Sequence, residues 1–264
     1  MTDISLTVVE RGQIRSDARQ VIEGYRYGTR DEPNPETVMG SGPVYAVVID
    51  HSEATVLWDT GPHPAAANGH WSDDQLNAFE YTATEEDALE PALGRNGYAL
   101  EDIDVVVQSH LHMDHAGGLF HFADTDVPVY VHEEELAHAY VAAQTDRGDD
   151  WYIAGDFHHD LKWRLISENR YPLFEGIELL HLPGHTPGLM GAVVDLGDET
   201  VVVIGDQADI KLNYEAGIPM SGSMLWNKAA WERSHRQVKA IADREDALVV
   251  AGHDEEDLEQ LRAL

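Results

Sequence analysis

The sequence predicts an α/β fold, and three observations carry the prediction. Short β-branched runs read as strands buried on both faces: Ile103-Asp104-Val105-Val106-Val107-Gln108, Val127-Pro128-Val129-Tyr130-Val131, Thr200-Val201-Val202-Val203-Ile204-Gly205 and Ala247-Leu248-Val249-Val250-Ala251-Gly252. Helical patterns separate them. Several of these runs lead into a histidine or an aspartate, so polar side chains gather at one edge of a sheet, where open α/β sheets bind their ligands.

At 264 residues, with no linker-like stretch, the chain reads as a single domain, residues 1–264, able to bury a sizeable core. Taken in order, Leu6-Thr7-Val8-Val9, Val44-Tyr45-Ala46-Val47-Val48-Ile49 and Thr55-Val56-Leu57-Trp58 form an opening β-meander. The meander is interrupted by the proline-containing loop Asp31-Glu32-Pro33-Asn34-Pro35 and closed by Asp59-Thr60-Gly61. Residues 62–81, with His63, His70 and Trp71, show no period and read as a loop at the edge of a site. Thr84-Glu85-Glu86-Asp87 caps a helix that runs to Gly94 or Gly97. A helix opens at His132, its Glu133, Glu134 and Glu135 forming a solvated first turn favoured by the helix dipole. The polar stretch 144–162 includes His158 and His159, adjacent and therefore divergent. Ile177-Glu178-Leu179-Leu180-His181-Leu182 is a strand ending at Pro183-Gly184-His185, and a helix over about 227–243 precedes the last strand.

The chemistry concentrates in Ser109-His110-Leu111-His112-Met113-Asp114-His115, at the end of the strand that begins at Ile103, followed by Ala116-Gly117-Gly118. A lone histidine is more often a core or surface residue than a ligand. Three imidazoles and a carboxylate in six positions demand a cation. His110 and His112, two apart, share one side of an extended segment, and Asp114 and His115 lie beyond the bend. Collecting the strand ends gives His110, His112 and His185 as one set, Asp114, His115 and His253 as another, and Asp206 as a carboxylate able to bridge. Seven ligands suit two divalent ions. With no cysteine, the donors are all nitrogen and oxygen; the share of imidazole favours two Zn2+ per chain, with manganese, cobalt and iron as the alternatives.

The run His110-Leu111-His112-Met113-Asp114-His115, with Asp59-Thr60-Gly61, Gly184-His185, Gly205-Asp206 and Gly252-His253, resembles the metallo-β-lactamase superfamily over essentially the whole chain. The resemblance implies a four-layer αβ/βα sandwich, the metallo-β-lactamase fold, with a dinuclear site at the edge between its sheets. It places the first metal on His110, His112 and His185, the second on Asp114, His115 and His253, and the bridge on Asp206. Gly97-Tyr98, Asp102-Ile103-Asp104, His115-Ala116-Gly117-Gly118, Pro183-Gly184-His185-Thr186-Pro187-Gly188 and Gly252-His253-Asp254 are similar to N-acyl homoserine lactonases. In those enzymes a tyrosine that helps at the substrate carbonyl lies three positions after the bridging aspartate. Here that position is Asp209, with Tyr214 as the nearby substitute.

The expected function is a metal-dependent hydrolase opening a lactone, in which a hydroxide held between two ions attacks the carbonyl. Asp114 is the expected catalytic residue besides ligating, accepting the hydroxide proton and returning it to the leaving group. Met220, Met224, Leu225 and Trp226 are either apolar wall for an acyl chain or ordinary core, and Asp209 would be turned away or paired with Lys211. The alternatives are a glyoxalase II-like thioesterase, which the scarcity of basic residues disfavours, and a non-catalytic metal-binding module. A ribonuclease Z-like nuclease is opposed by the acidic surface, and a flavodiiron-like oxidoreductase would need glutamate where His112 stands.

The chain has 49 acidic against 17 basic residues, a formal net charge of -32, and its lysines are Lys162, Lys211, Lys228 and Lys239. Such a surface repels nucleic acid and anionic membranes, leaving a small-molecule lactone or ester as partner, and a homodimer stays open. Met1-Thr2-Asp3-Ile4-Ser5-Leu6 lacks a basic start and an apolar run, so the expected location is cytoplasmic. Self-repulsion would largely vanish at 1 M salt, where the Debye length is roughly 3 Å, which points to a halophilic host. The melting temperature is expected to climb from low to molar KCl by more than that of an ordinary acidic protein; a rise no larger than ordinary overturns the halophilic reading.

Overall fold

Side chains that alternate between two covered faces of the β-branched strands build the architecture. In the computed structural model, which describes residues 4–145 and 150–264, the chain forms two sheets. Met1-Thr2-Asp3 and positions 146–149 of the polar 144–162 stretch lie outside the described residues. The first sheet holds β1 (Ile4–Asp17), β2 (Met39–His51), β3 (Ala54–Trp58), β4 (Phe79–Thr82), β5 (Val105–Val107), β6 (Pro128–His132) and β7 (Lys162–Ile166), in the order β4-β1-β2-β3-β5-β6-β7. The second holds β8 (Arg170–Phe174), β9 (Ile177–His181), β10 (Met190–Asp195), β11 (Thr200–Gly205) and β12 (Leu248–Ala251), in the order β12-β11-β10-β9-β8. The helices are α1 (Ala18–Val21), α2 (Asp73–Ala78), α3 (Leu89–Arg95), α4 (Glu133–Ala142), α5 (Ala154–Phe157), α6 (Lys211–Ala216), α7 (Lys228–Glu245) and α8 (Glu255–Arg262).

Val47, Ile49, Val56, Trp58, Val105 and Val107 turn inward and meet Met190, Ala192, Val201 and Val203 of the second sheet. Their neighbours Ala46, Val48, Leu57 and Val106 turn outward, onto Leu89, Ala92 and Leu93 of α3 and Ala139 of α4. Across the molecule Val202 and Ile204 pack on Val238, Ile241 and Ala242 of α7. The period of two along each strand, with both faces covered, therefore produces the four-layer αβ/βα sandwich. β3, β5, β6 and β7 run parallel, as do β11 and β12, so the turns after β3, β5, β11 and β12 reach the same edge. The backbone closes there: Met190 N donates to Ser109 O at 2.8 Å, joining the two sheets.

Some local expectations change. Residues 62–81 are structured: Ser72 and Gln75 form a reciprocal capping box at the start of α2, and β4 then pairs with β1. An element of six residues leaves too few turns to show a period. The helix expected from Thr84 is broken. Thr84 caps only a 3-10 turn over Glu85–Asp87, Ala88 is extended, and α3 begins at Leu89. Pro91 is the cause, since in a continuous helix its ring would strike the carbonyl of Asp87. β1 runs past Val9 to Asp17 because Gly12, at φ +107°, supplies a bulge, beyond which the strand stays paired with β2 and also takes up β4 over Gln13–Ser16. Among the described residues no helix is long and apolar enough to cross a membrane.

Arg11, fully buried beside that bulge, ties the strand to the edge where the site forms. Its Nε donates to Thr60 O at 3.2 Å, Nη2 to Pro62 O at 3.1 Å, and Nη1 to Asp87 O. Burial lowers its pKa to about 10, although Tyr81 and Asp87 oppose the shift. Replacing it leaves buried carbonyls with no donor. Arg11→Met is expected to destabilise the fold by about 2–4 kcal/mol, read as a lower urea midpoint; an unchanged midpoint overturns this role.

Candidate metal centre

Asp59 organises the site from behind. It follows β3 with φ +58°, an unusual conformation for a residue with a Cβ, and its carboxylate is buried. Ser109 donates to it through both N and Oγ, each at 2.7 Å, and His115 donates through Nδ1 at 2.9 Å. His110 Nδ1 lies 3.0 Å from Ser109 Oγ, His185 Nδ1 donates to Met224 O at 2.6 Å, and His253 Nδ1 donates to Pro43 O at 2.9 Å. With Nδ1 committed in each ring, the four Nε2 atoms face the centre. His112 presents its Nδ1 2.9 Å from His185 Nε2.

The sequence-predicted residues all converge. Their donor atoms fall into the groups His110-His112-His185, Asp114-His115-His253 and His110-His115-Asp206, and Asp206 and His253 also group with Asp209, a residue not expected among the ligands, each group within 4.8 Å. Asp206 lies between the sets: Oδ2 is 3.4 Å from His185 Nε2 and 3.9 Å from His110 Nε2. Oδ1 is 3.4 Å from His115 Nε2 and 3.5 Å from His253 Nε2. Asp114 Oδ2 completes the second set, 3.6 Å from His115 Nε2 and 3.5 Å from His253 Nε2. Gly252 is required beside it, since a Cβ there would meet Asp206 Oδ1 at 2.3 Å.

Charge follows the same division. Burial and the neighbouring imidazoles of His115 and His112 hold the His110 pKa well below its ordinary value. For His115 burial acts downward, but Asp114, Asp206 and Asp59 outweigh it and raise the pKa well above ordinary. His253 likewise resists burial and is raised to about 10, chiefly by Asp206. Asp206, despite burial, is held well below the carboxylate range by His115 and His253. Whether a metal fits is decided by the donors themselves. The buried His110 Nε2, His115 Nε2 and Asp206 Oδ1 meet no hydrogen-bond partner of good geometry. Orphaned lone pairs converging in a buried space fit a cation.

Glu135 corrects the reading of the glutamate run. Glu133 and Glu134 are exposed, but Glu135 is fully buried. It accepts from Leu111 N at 2.9 Å, Gly188 N at 3.2 Å and Tyr152 Oη at 2.8 Å, fastening the turn after β5 to the turn after β9. Three consecutive glutamates look like a solvated first turn; only the tertiary position of α4 shows which one turns inward. His158 and His159 belong to no donor group among the described residues: His158 stacks edge-on against Tyr140, and His159 Nε2 donates to Gly155 O at 2.8 Å. Tyr214 is no substitute for the tyrosine, because it lies on α6 against His235 and under Lys239. Lys211 does not pair with Asp209; it binds Glu256 at 2.8 Å and Asp257 at 3.4 Å, and Asp209 lines the site cavity.

That cavity, about 190 Å³, opens onto Asp114, Asp206 and His253. Its apolar wall comes from Ile14, Val21, Ile22, Phe79, Trp151 and Met224. Of the expected wall, Met224 lines it, Met220 is buried behind in the Phe79 cluster, and Trp226 is 48% exposed. Leu225 is half-buried and outside the lining.

The model of the metallo-beta-lactamase superfamily matches residues 39–253, and the chain belongs to that superfamily. Within it, the chain is similar to the N-acyl homoserine lactonase AiiB of Agrobacterium fabrum, 31% identical over 97% of this chain and 95% of that one. It is also 31% identical to an N-acyl homoserine lactonase of a Bacillus species, over 80% of this chain and 81% of the other. Among solved structures it resembles an N-acyl homoserine lactone hydrolase with the product N-hexanoyl-L-homoserine bound at the catalytic metal center. That likeness has a TM-score of 0.82 and 26% identity, covering 98% of this chain and 97% of that one.

Asp59 holds His115 in one tautomer through a carboxylate that only accepts. Asp59→Asn is expected to weaken metal retention about 10–100-fold in a chelator competition while leaving the circular dichroism spectrum unchanged; wild-type retention overturns this orienting role.

Proposed function

We propose that the chain hydrolyses the ester bond of N-acyl homoserine lactones at a dinuclear centre. His110, His112 and His185 hold one ion, Asp114, His115 and His253 the other, and Asp206 bridges them. The observation that carries this reading is the division of Asp206, with Oδ2 facing one imidazole set and Oδ1 the other. The named activities of the relatives support it, as does an apolar cavity at the mouth of the cluster. The imidazole-rich donor set favours Zn2+.

When bound, divalent cations supply an activated water and polarise the carbonyl. The chain's residues do the rest. Ile14, Phe79, Trp151 and Met224 hold the acyl chain by burying its apolar surface, which directs the polar lactone ring toward Asp114 and Asp206. Asp114, the ligand carboxylate whose side chain keeps some exposure, takes the proton of the attacking water and returns it to the leaving alkoxide. Asp59 keeps the His115 ring from turning, and Glu135 fastens the segments next to His112 and His185 to each other.

The test is acid release from a medium-chain N-acyl homoserine lactone by the metal-loaded protein in molar KCl. Turnover is expected, and Asp206→Ala is expected to abolish it together with metal content. Asp114→Asn should lose about 10²–10⁴-fold in kcat with KM little changed. A folded, metal-loaded protein that leaves the lactone intact overturns the proposal, and near wild-type kcat in Asp114→Asn with unchanged metal content overturns the role of that residue.

A further inference from the structure

The resemblance to the lactonases implies a tyrosine at the position of Asp209, and the structure gives Asp209 a place among the donors. It is buried, lines the cavity, and its carboxylate makes no hydrogen bond or ion pair among the described residues. The turn cannot swing away. His253 N donates to Asp209 O at 2.7 Å and Gly252 N to Ala208 O at 2.9 Å, stitching residues 208–209 to the turn after β12. Lys211, the nearest basic residue in sequence, is taken by Glu256 and Asp257, and its own N–H donates to Asp254 at 2.9 Å. A buried carboxylate with no hydrogen-bond donor is costly, and a cation shared with the neighbouring His253 and Asp206 would offset that cost.

The distances say where. One oxygen of Asp209, one donor atom of His253 and one oxygen of Asp206 lie within 4.8 Å of one another. Atoms bound to one ion at roughly 2.0–2.2 Å are separated by at most about 4.4 Å, so a small side-chain rotation closes the three on a single ion. His253 also groups with Asp114 and His115, which fixes the side of the centre to which Asp209 belongs.

We propose that Asp209 is an additional ligand of the ion held by Asp114, His115 and His253, and that it biases this position toward oxygen-preferring divalent ions such as Mn2+. The inference rests on the two-ion reading of the site. This position then gathers carboxylates from Asp114, Asp206 and Asp209 against two imidazoles, whereas its neighbour has three imidazoles and Asp206 alone. Carboxylate donors suit manganese and imidazole donors suit zinc, so the two positions differ in preference.

The test is binding of Mn2+ to the metal-stripped protein, followed by the loss of the free-ion electron paramagnetic resonance signal, with Zn2+ titrated separately by calorimetry. In Asp209→Asn, Mn2+ is expected to bind about 10–100-fold more weakly at one position, with the tighter Zn2+ position unchanged. Asp209→Ser, which removes the carboxylate and leaves a smaller side chain, serves if the asparagine variant does not fold, and the same loss is expected. Mn2+ affinity within twofold of wild type in a folded variant, with two ions still bound, overturns the role of Asp209 and leaves the dinuclear reading standing. Uptake of one ion alone by wild type at saturation overturns both.

Discussion

The carboxylate of Asp206 is the point on which the architecture turns. It is buried between imidazoles that arrive from different parts of the chain, and its two oxygens serve different neighbours. A buried carboxylate of this kind is tolerated only against matching positive charge, supplied by imidazolium protons or by metal ions. That requirement explains why the sheets meet as they do. The turn after β11 must lie opposite the turn after β5 and beside the turn after β12, and the parallel pairing of β11 with β12 delivers two of those turns to one edge. The hydrogen bond from Met190 N to Ser109 O holds the third in place.

A second tier of buried carboxylates maintains this geometry. Asp59 and Glu135 contact no centre of the cluster through their own lone pairs; each spends its oxygens on N–H and O–H groups of the segments that carry the ligands. Asp59 fixes His115 and Ser109, and Glu135 joins Leu111, Gly188 and Tyr152. Burial raises the Glu135 pKa, and the Thr186, Leu111 and Tyr152 donors pull it back. The price of this rigidity is borne by a large apolar interior, in which Trp58, Val107, Val203 and their neighbours are buried on both faces of their sheets.

The legible part of the fold was the part with strong local pattern. Val105-Val106-Val107 and Val201-Val202-Val203 mark doubly buried strands, and the spacing of His110, His112, Asp114 and His115 alone marks a metal cluster. What escaped lacked a local signature. α2 and β4 are too short for a period, and Pro91 restarts α3 in a segment whose capping signal belongs to the turn before it. Glu135 escaped for the opposite reason: its surroundings carried a clear local pattern, that of a charged helix start, which the packing of α4 overrides at one position. The apolar wall escaped because Ile14, Val21, Ile22 and Phe79 are dispersed through the first eighty residues, and only the pairing of β1 with β4 brings them together.

That dispersal separates two kinds of control. The ligands sit on turns at strand ends, where backbone bonds and buried carboxylates fix each ring, so the reaction centre has little freedom to vary. The wall comes from the far end of β1, from α1 and β4, and from Trp151 and Met224, segments that carry none of the ligands. Changes in the wall can alter which acyl group is held without moving an imidazole. Asp209 is the exception, because it lies in both regions at once: it lines the cavity and is stitched to His253. A change at that position cannot tune substrate fit alone, since any residue placed there also stands beside Asp206. A carboxylate at this position therefore bears on the charge of the centre itself, and its consequence has to be sought first in the ions and only then in the lactone.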